Sequence, residues 1–307
     1  MFRATLRTGG TLVLVVMGLV GVFLALRAAD ALRVAGWGFF TTQAWEPDSG
    51  NFGIAAILVG TVLIATVAVV LAVPLSLGTA LYITEYAPLR ARAFLIATVD
   101  LMAAIPSVVF GLWGFFFLQG RITEVARWLS INFAWFPPFR VDGVDPNDPL
   151  STTTIYTSST FIAGVVVALM ITPVVTSIMR EVFAQAPVGE REGALALGST
   201  KLGVIRSVVL PYGTGGIIGG TMLGLGRALG ETIAVYMIIS PVFVIQWQVL
   251  RNGGSSVSSL IALRYGEATP FGMSALMAAG LALFLMTLVV NFVASSIVAR
   301  SRSGASS

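Results

Sequence analysis

Six apolar stretches, each near the length that crosses a bilayer, decide what this chain can fold into. They fall at residues 11–26, 54–83, 94–118, 161–179, 216–245 and 273–298. About 20 apolar residues in a helix span the hydrocarbon core, where every backbone polar group must find its partner within the protein. The composition agrees: 56% of the 307 residues are hydrophobic and 10% are charged, against roughly 25% charged in a soluble domain. The expected fold class is all-α integral membrane, with six transmembrane helices.

The connectors alternate in charge. Arg3 and Arg7, Arg90 and Arg92, the arginines from Arg180 to Arg206, and Arg300 and Arg302 fall on one side; Asp30, Glu46 and Asp48, then Asp142, Asp145 and Asp148, fall on the other. Arg and Lys near span ends stay in the cytoplasm, so both termini are expected there. Residues 1–53 then hold a first helix and an external connector. Residues 54–298 form the main transmembrane domain, with an external loop at 120–159 and a cytoplasmic loop at 180–215, and 299–307 are a cytoplasmic tail. The first stretch also has the look of a signal peptide, with Ala28-Ala29 near a cleavage position. Arg27 interrupts that position, and the topology needs an inside N-terminus, so a retained helix is expected. Pro74, Pro106, Pro173 and Pro241 lie within or near spans, as static kinks or as hinges. The 119–159 loop combines turn formers with Trp128, Trp135 and Phe136, which suit either an interfacial belt or an external docking surface.

Several classes of function are excluded. The chain has no cysteine and no histidine, which removes disulfides, imidazole bases and the usual zinc ligands. It has no GxxxxGK[ST] phosphate loop and no GxSxG elbow, and Gly224, Gly226 and Gly230 are spaced one residue too long for a dinucleotide fingerprint. No metal cage, catalytic group or bound cofactor is expected. The arginines are scattered between apolar segments, which argues for membrane lipid and against nucleic acid as a partner.

Charge inside the apolar stretches asks for a reason. Asp100, Arg227 and Glu231 lie there, and an Arg or Asp at a helix centre costs about 2.5–3.5 kcal/mol on insertion scales. Arg227 and Glu231, four residues apart, would share a helical face and partly neutralise each other. That arrangement suits a buried structural pair or a polar pathway for an ion, with Asp100 a third pathway candidate. Gly216, Gly220 and Gly224 form a GxxxGxxxG stripe that lets a neighbouring backbone approach closely.

The 180–215 loop reads as two short helices around a glycine break. Pro187 suits a helix start, Glu190 and Glu192 load its first turn, and Leu202, Ile205 and Val209 recur at helical spacing after Gly198. The run REGALALGSTKLGVIRSVVLP at 191–211 resembles the EAA loop of ABC-importer permeases. Its positions are Glu192, Gly193, Ala194, Gly198, Val208, Leu210 and Pro211, with Gly193 in place of an alanine and Val208 in place of an isoleucine. LGLGRALGET at 223–232 and AAIPSVVFGLWG at 103–114 are similar to the PstC type of phosphate-importer permease subunit.

That resemblance implies an ABC type-1 (MetI-like) permease fold in a bacterial plasma membrane, importing inorganic phosphate. It implies a PstA-like second permease subunit, a PstB-like ATPase dimer that uses ATP and Mg, and a PstS-like external phosphate-binding protein. This chain would not itself be an enzyme. Its EAA loop would sit in a groove of the ATPase, and Arg227 and Glu231 stand where the family has its intramembrane arginine and glutamate. Permeases for sulfate or molybdate, and a non-transporting membrane scaffold or sensor, are the competing readings.

Overall fold

The structure, a computed structural model, describes residues 2–143, 145, 148 and 154–303. Half of the turn-rich run at 142–149 and the last four residues lie outside the described residues. The chain begins with α1 (Phe2–Ala35), a two-stranded antiparallel hairpin of β1 (Trp45–Glu46) and β2 (Asn51–Phe52), and α2 (Ala55–Leu81). Then come α3 (Leu89–Ala103), α4 (Ser107–Trp113), α5 (Gln119–Asn132), α6 (Thr160–Ala184) and α7 (Val188–Ala196). The last helices are α8 (Lys201–Val204), α9 (Leu210–Gly230), α10 (Ile233–Ile238), α11 (Val257–Arg264) and α12 (Pro270–Ser303).

Three π turns join these pieces into longer rods. Tyr82–Tyr86 extends α2, Gly114–Leu118 fuses α4 to α5, and Ile205–Val209 fuses α8 to α9. Among the described residues six helical runs are then long and apolar enough to cross a membrane: Arg7–Phe40, Ala55–Tyr86, Ser107–Asn132, Thr160–Ala184, Lys201–Gly230 and Pro270–Val293. The number matches the expectation; two boundaries do not.

The stretch at 94–118 is not one span. The helix stops at Ala103, because a proline disfavours helical backbone in the residue before it, and Pro106 caps a new helix at Ser107. That run continues to Asn132 and draws the first third of the expected 120–159 loop into helix. The stretch at 216–245 also breaks, at Gly230. The 180–215 loop holds one separate helix, α7, closed by Gly198 at φ 85°, a backbone that glycine adopts without strain. The second is continuous with α9. Pro211, which has no N–H to donate, follows directly on the π turn, whose wider ring the Leu210 N–H closes on Ile205 C=O.

α6 is the axis of the bundle. Ser159 Oγ caps it by accepting from Ile162 N–H at 3.3 Å, and its sides are buried against α2, α9 and α10 in one apolar cluster. Small residues set the approach distances. A Cβ added at Gly164 would sit 2.5 Å from Val67 of α2; at Gly216, 2.5 Å from Val182 of α6; and at Gly224, 2.7 Å from Val175 of α6. Ser76 Oγ donates to Thr172 C=O at 3.0 Å, tying α2 to α6 beside the prolines both helices carry, Pro74 and Pro173. α1 stands outside and packs on α12, where Ser274 Oγ accepts from Ala31 N–H (3.2 Å) and donates to Arg27 C=O (2.7 Å).

Gly216→Ala is therefore expected to lower the unfolding midpoint in detergent by the roughly 1–3 kcal/mol that overpacking costs. Gly219→Ala, where a Cβ meets nothing within 4 Å, should leave it unchanged or raise it. Equal losses in a thermal melt would show that the stripe is not the packing surface.

Candidate functional site

The glycine face of α9 sets the site. Gly213 lies on Phe183, Gly216 on Val182, Gly220 on Ile178, and Gly224 on Val175 and Ile171, so α9 runs antiparallel along α6. Arg227 comes one turn later, in the last turn of the helix. It is half-buried, and among the described residues its guanidinium has no hydrogen-bond or ion-pair partner. Asn291 of α12 faces the preceding residue: its Oδ1 lies 3.8 Å from where a Cβ on Gly226 would be.

Glu231 does not pair with Arg227, and the shared helical face expected from their spacing is absent. Helix α9 ends at Gly230, and Glu231 is extended (φ −65°, ψ 126°), so the four-residue repeat no longer applies. The carboxylate turns instead into the next helix, where Oε1 accepts from Ala234 N–H at 3.2 Å. Its backbone C=O accepts from Ser258 Oγ at 2.9 Å, and the residue is 8% exposed.

Ser258 is held by a chain of contacts that reaches α2. Ser256 and Ser259 form a capping box at the start of α11, and Val257 N–H donates to Thr61 Oγ1 of α2 at 3.0 Å. Gly60 lets the backbone of Ser255 lie directly on α2, where any Cβ would collide with the Ser255 carbonyl oxygen. Gly60, Thr61 and Ser258 escaped the sequence reading. The run GGSSVSSL at 253–260, small and polar between apolar segments, was the available signal.

Asp100 lies elsewhere. It sits on α3, outside the candidate spans, half exposed, and accepts from Ser177 Oγ at 2.9 Å with Arg180 Nη2 3.8 Å away. Both partners are on α6, about two turns toward the end that leads to α7, so the structure does not bring Asp100 together with Arg227 and Glu231.

The segment carrying Glu192, Gly193, Ala194 and Gly198 is a protruding helix. Glu192, Gly193, Leu195, Leu197 and Gly198 are exposed, as is Pro211, while Ala194 and Leu210 are half-buried. The segment is fastened to the bundle through Arg191, 3.0 Å from Glu85 at the end of α2. No local pattern in the sequence marks Glu85 or its pairing with Arg191.

Membrane-length helices packed in a bundle, an internal arginine without a partner among the described residues, and an exposed helix on one side describe a multi-pass membrane protein. The chain belongs to the family of binding-protein-dependent transport system inner membrane components, which it matches over residues 72–303. It is 39% identical over 301 residues to the phosphate transport system permease protein PstC 2 of Mycobacterium tuberculosis, covering 97% of this chain and 90% of the relative. It is 42% identical over 281 residues to the phosphate transport system permease protein PstC of Mycobacterium leprae, covering 90% and 85%. A bacterial ABC transporter that imports alginate shares the fold with TM-score 0.57 at 17% identity, over 97% of this chain and 99% of that one. The inward-facing MetNI methionine transporter does so with TM-score 0.54 at 14% identity, over 79% and 93%. The fold is thus that of ABC importer permeases. The chain is a multi-pass membrane subunit of the bacterial plasma membrane that works in a complex with other ABC components.

Arg227→Met removes a cation that has no partner among the described residues, so the unfolding midpoint should stay the same or rise. Breaking a buried ion pair costs roughly 3–5 kcal/mol. A loss of that size, read by a thermal melt of the purified complex, would show that Arg227 serves the structure.

Proposed function

We propose that this chain forms half of the translocation pathway of an ATP-driven importer for inorganic phosphate. The observation that carries the reading is Arg227: an arginine at membrane depth whose expected partner, Glu231, is engaged elsewhere. A charge left open there at a cost of about 2.5–3.5 kcal/mol is offset when a mobile anion reaches it. The names of the relatives, all phosphate transport system permeases, supply the anion.

A guanidinium presents two parallel N–H donors that match two oxygens of a phosphate. Near neutral pH phosphate keeps a proton, and the second carboxylate oxygen of Glu231 is the acceptor offered to it. Sulfate has no such proton and meets only repulsion. Arg227 therefore draws the anion in, and Glu231 discriminates. Asp100, tied to Arg180, has no part in this step and keeps at most a place near the exit. A PstA-like subunit supplies the other half of the pathway, and a PstS-like protein delivers phosphate from outside. A PstB-like dimer hydrolyses ATP with Mg and grips Glu192 to Gly198, with both termini of this chain on its side of the membrane. This chain binds no cofactor and hydrolyses nothing.

The test is radiolabelled phosphate uptake into vesicles containing the reconstituted complex. ATP-dependent uptake should require this chain. Arg227→Lys, which keeps the charge and loses the fork, should lower uptake about tenfold or more, in line with loss of one charge-assisted hydrogen bond. Wild-type flux in that variant would return Arg227 to a structural role. Glu231→Gln should admit sulfate as a competitor; full phosphate flux with full rejection of sulfate would remove Glu231 from selection.

A further inference from the structure

Arg191 of the protruding helix and Lys201 of α8 both reach the end of α2. Arg191 Nη1 lies 3.0 Å from Glu85 Oε1, with the side chains 22% and 11% exposed. Arg191 Nη2 also donates to Phe183 C=O at 2.6 Å, in the last turn of α6. From the start of α8, Lys201 Nζ stands 5.2 Å from the centre of the Tyr86 ring. Both targets belong to the π turn Tyr82–Tyr86, a distortion frequent at functional sites. The pair is not built for stability alone. Arg191 Nε is buried without a hydrogen-bond partner, and buried ion pairs are often matched or bettered by apolar residues.

α2 leads from that turn to Thr61 and Gly60, which hold Val257 N–H and the Ser255 backbone. Ser258, the next residue, holds the Glu231 carbonyl. We infer that α2 is a second transmission rod, clamped to the coupling segment by Arg191 and Glu85 and carrying its displacement to the serine loop that positions Glu231. The inference rests on the proposal that the ATPase grips this segment. Arg191 and Glu85 are positioning residues: neither meets the anion, and both fix where α2 stands when the segment moves. Covalent continuity joins the segment to α6 and to α9; the ion pair adds α2 to the same moving body.

The experiment uses the whole complex in proteoliposomes and reads phosphate taken up per ATP hydrolysed. Glu85→Gln and Arg191→Met should each lower that ratio by about tenfold, a usual size for coupling between sites, while the ATPase still co-purifies and turns over. The charge-swapped pair, Glu85→Arg with Arg191→Glu, should recover most of the ratio. Wild-type ratios in the single variants, a swap no better than either single, or loss of the ATPase on purification would each overturn the inference. A second readout needs no substrate. The chain has no native cysteine, so spin labels at Val188→Cys on α7 and Leu75→Cys on α2 report one distance. It should stay constant through the ATP cycle in the otherwise wild-type chain and change with ATP in Glu85→Gln. A distance that already changes without that substitution refutes the rod even if phosphate is transported. Failure of wild-type phosphate uptake with a constant distance sinks the phosphate reading and leaves the rod standing.

Discussion

The approach of α9 to α6 is the contact on which the site depends. Within a bilayer no hydrophobic force draws two helices together, so close backbone packing must supply the attraction. The glycines at 213, 216, 220 and 224 let α9 lie against Phe183, Val182, Ile178 and Val175. That contact carries Arg227 to the level where α9 stops. A helix ending inside a membrane leaves carbonyls without partners, tolerable only where the surrounding protein supplies donors. Here Ser258 bonds the Glu231 carbonyl and Thr232 Oγ1 donates to the Gly230 carbonyl at 3.1 Å. The irregular backbone at 230–232 therefore exists because α2 and α11 are packed behind it.

Two arginines show how surroundings give a charge its task. Arg191 lies at the rim of the bundle, its amino groups shared between a carboxylate on α2 and a carbonyl on α6. It locks three elements and is unavailable to anything mobile. Arg227 lies within the bundle with no partner among the described residues. Nothing in the two residues' own chemistry distinguishes them. What differs is whether a carboxylate's chain direction lets it reach, and at Glu231 the extended backbone turns it away.

The features legible in the sequence were those set by composition and local spacing. Six spans follow from the length of the apolar stretches, the protruding helix from Pro187 and Gly198, and the packing face from glycines every fourth residue. The break at 104–106 was marked by Pro106 but hidden by the hydrophobicity on both sides of it. The end of α9 at Gly230 was not legible, because a glycine in an apolar run often continues a helix; the hydrogen bonds from Ser258 and Ala234, remote or later in the chain, decide otherwise. Assigning Arg227 and Glu231 to one face failed for that reason alone. The pairing of Glu85 with Arg191 spans more than 100 positions and carries no local pattern at all.

Glu231 is attached at both ends to different rods. Through the peptide chain it follows α9, and through Ser258, Val257 and Thr61 it follows α2. Arg227 follows α9 alone. The separation between the cation and the carboxylate is therefore a measure of how far α2 and α9 have shifted against each other. Near the protruding segment the two rods are joined, by the chain into α9 and by Arg191 onto the end of α2. Along their length Ser76 and Gly164 hold α2 to α6, and the glycine stripe holds α9 to the same helix. Rods pinned to one segment at their ends and packed on a common axis are free to tilt together and resist sliding apart. On the proposed reading of Arg227 and Glu231, a selectivity pair built across them keeps its geometry while the bundle opens and closes around it, which an importer needs if it is to reject the wrong anion in every conformation.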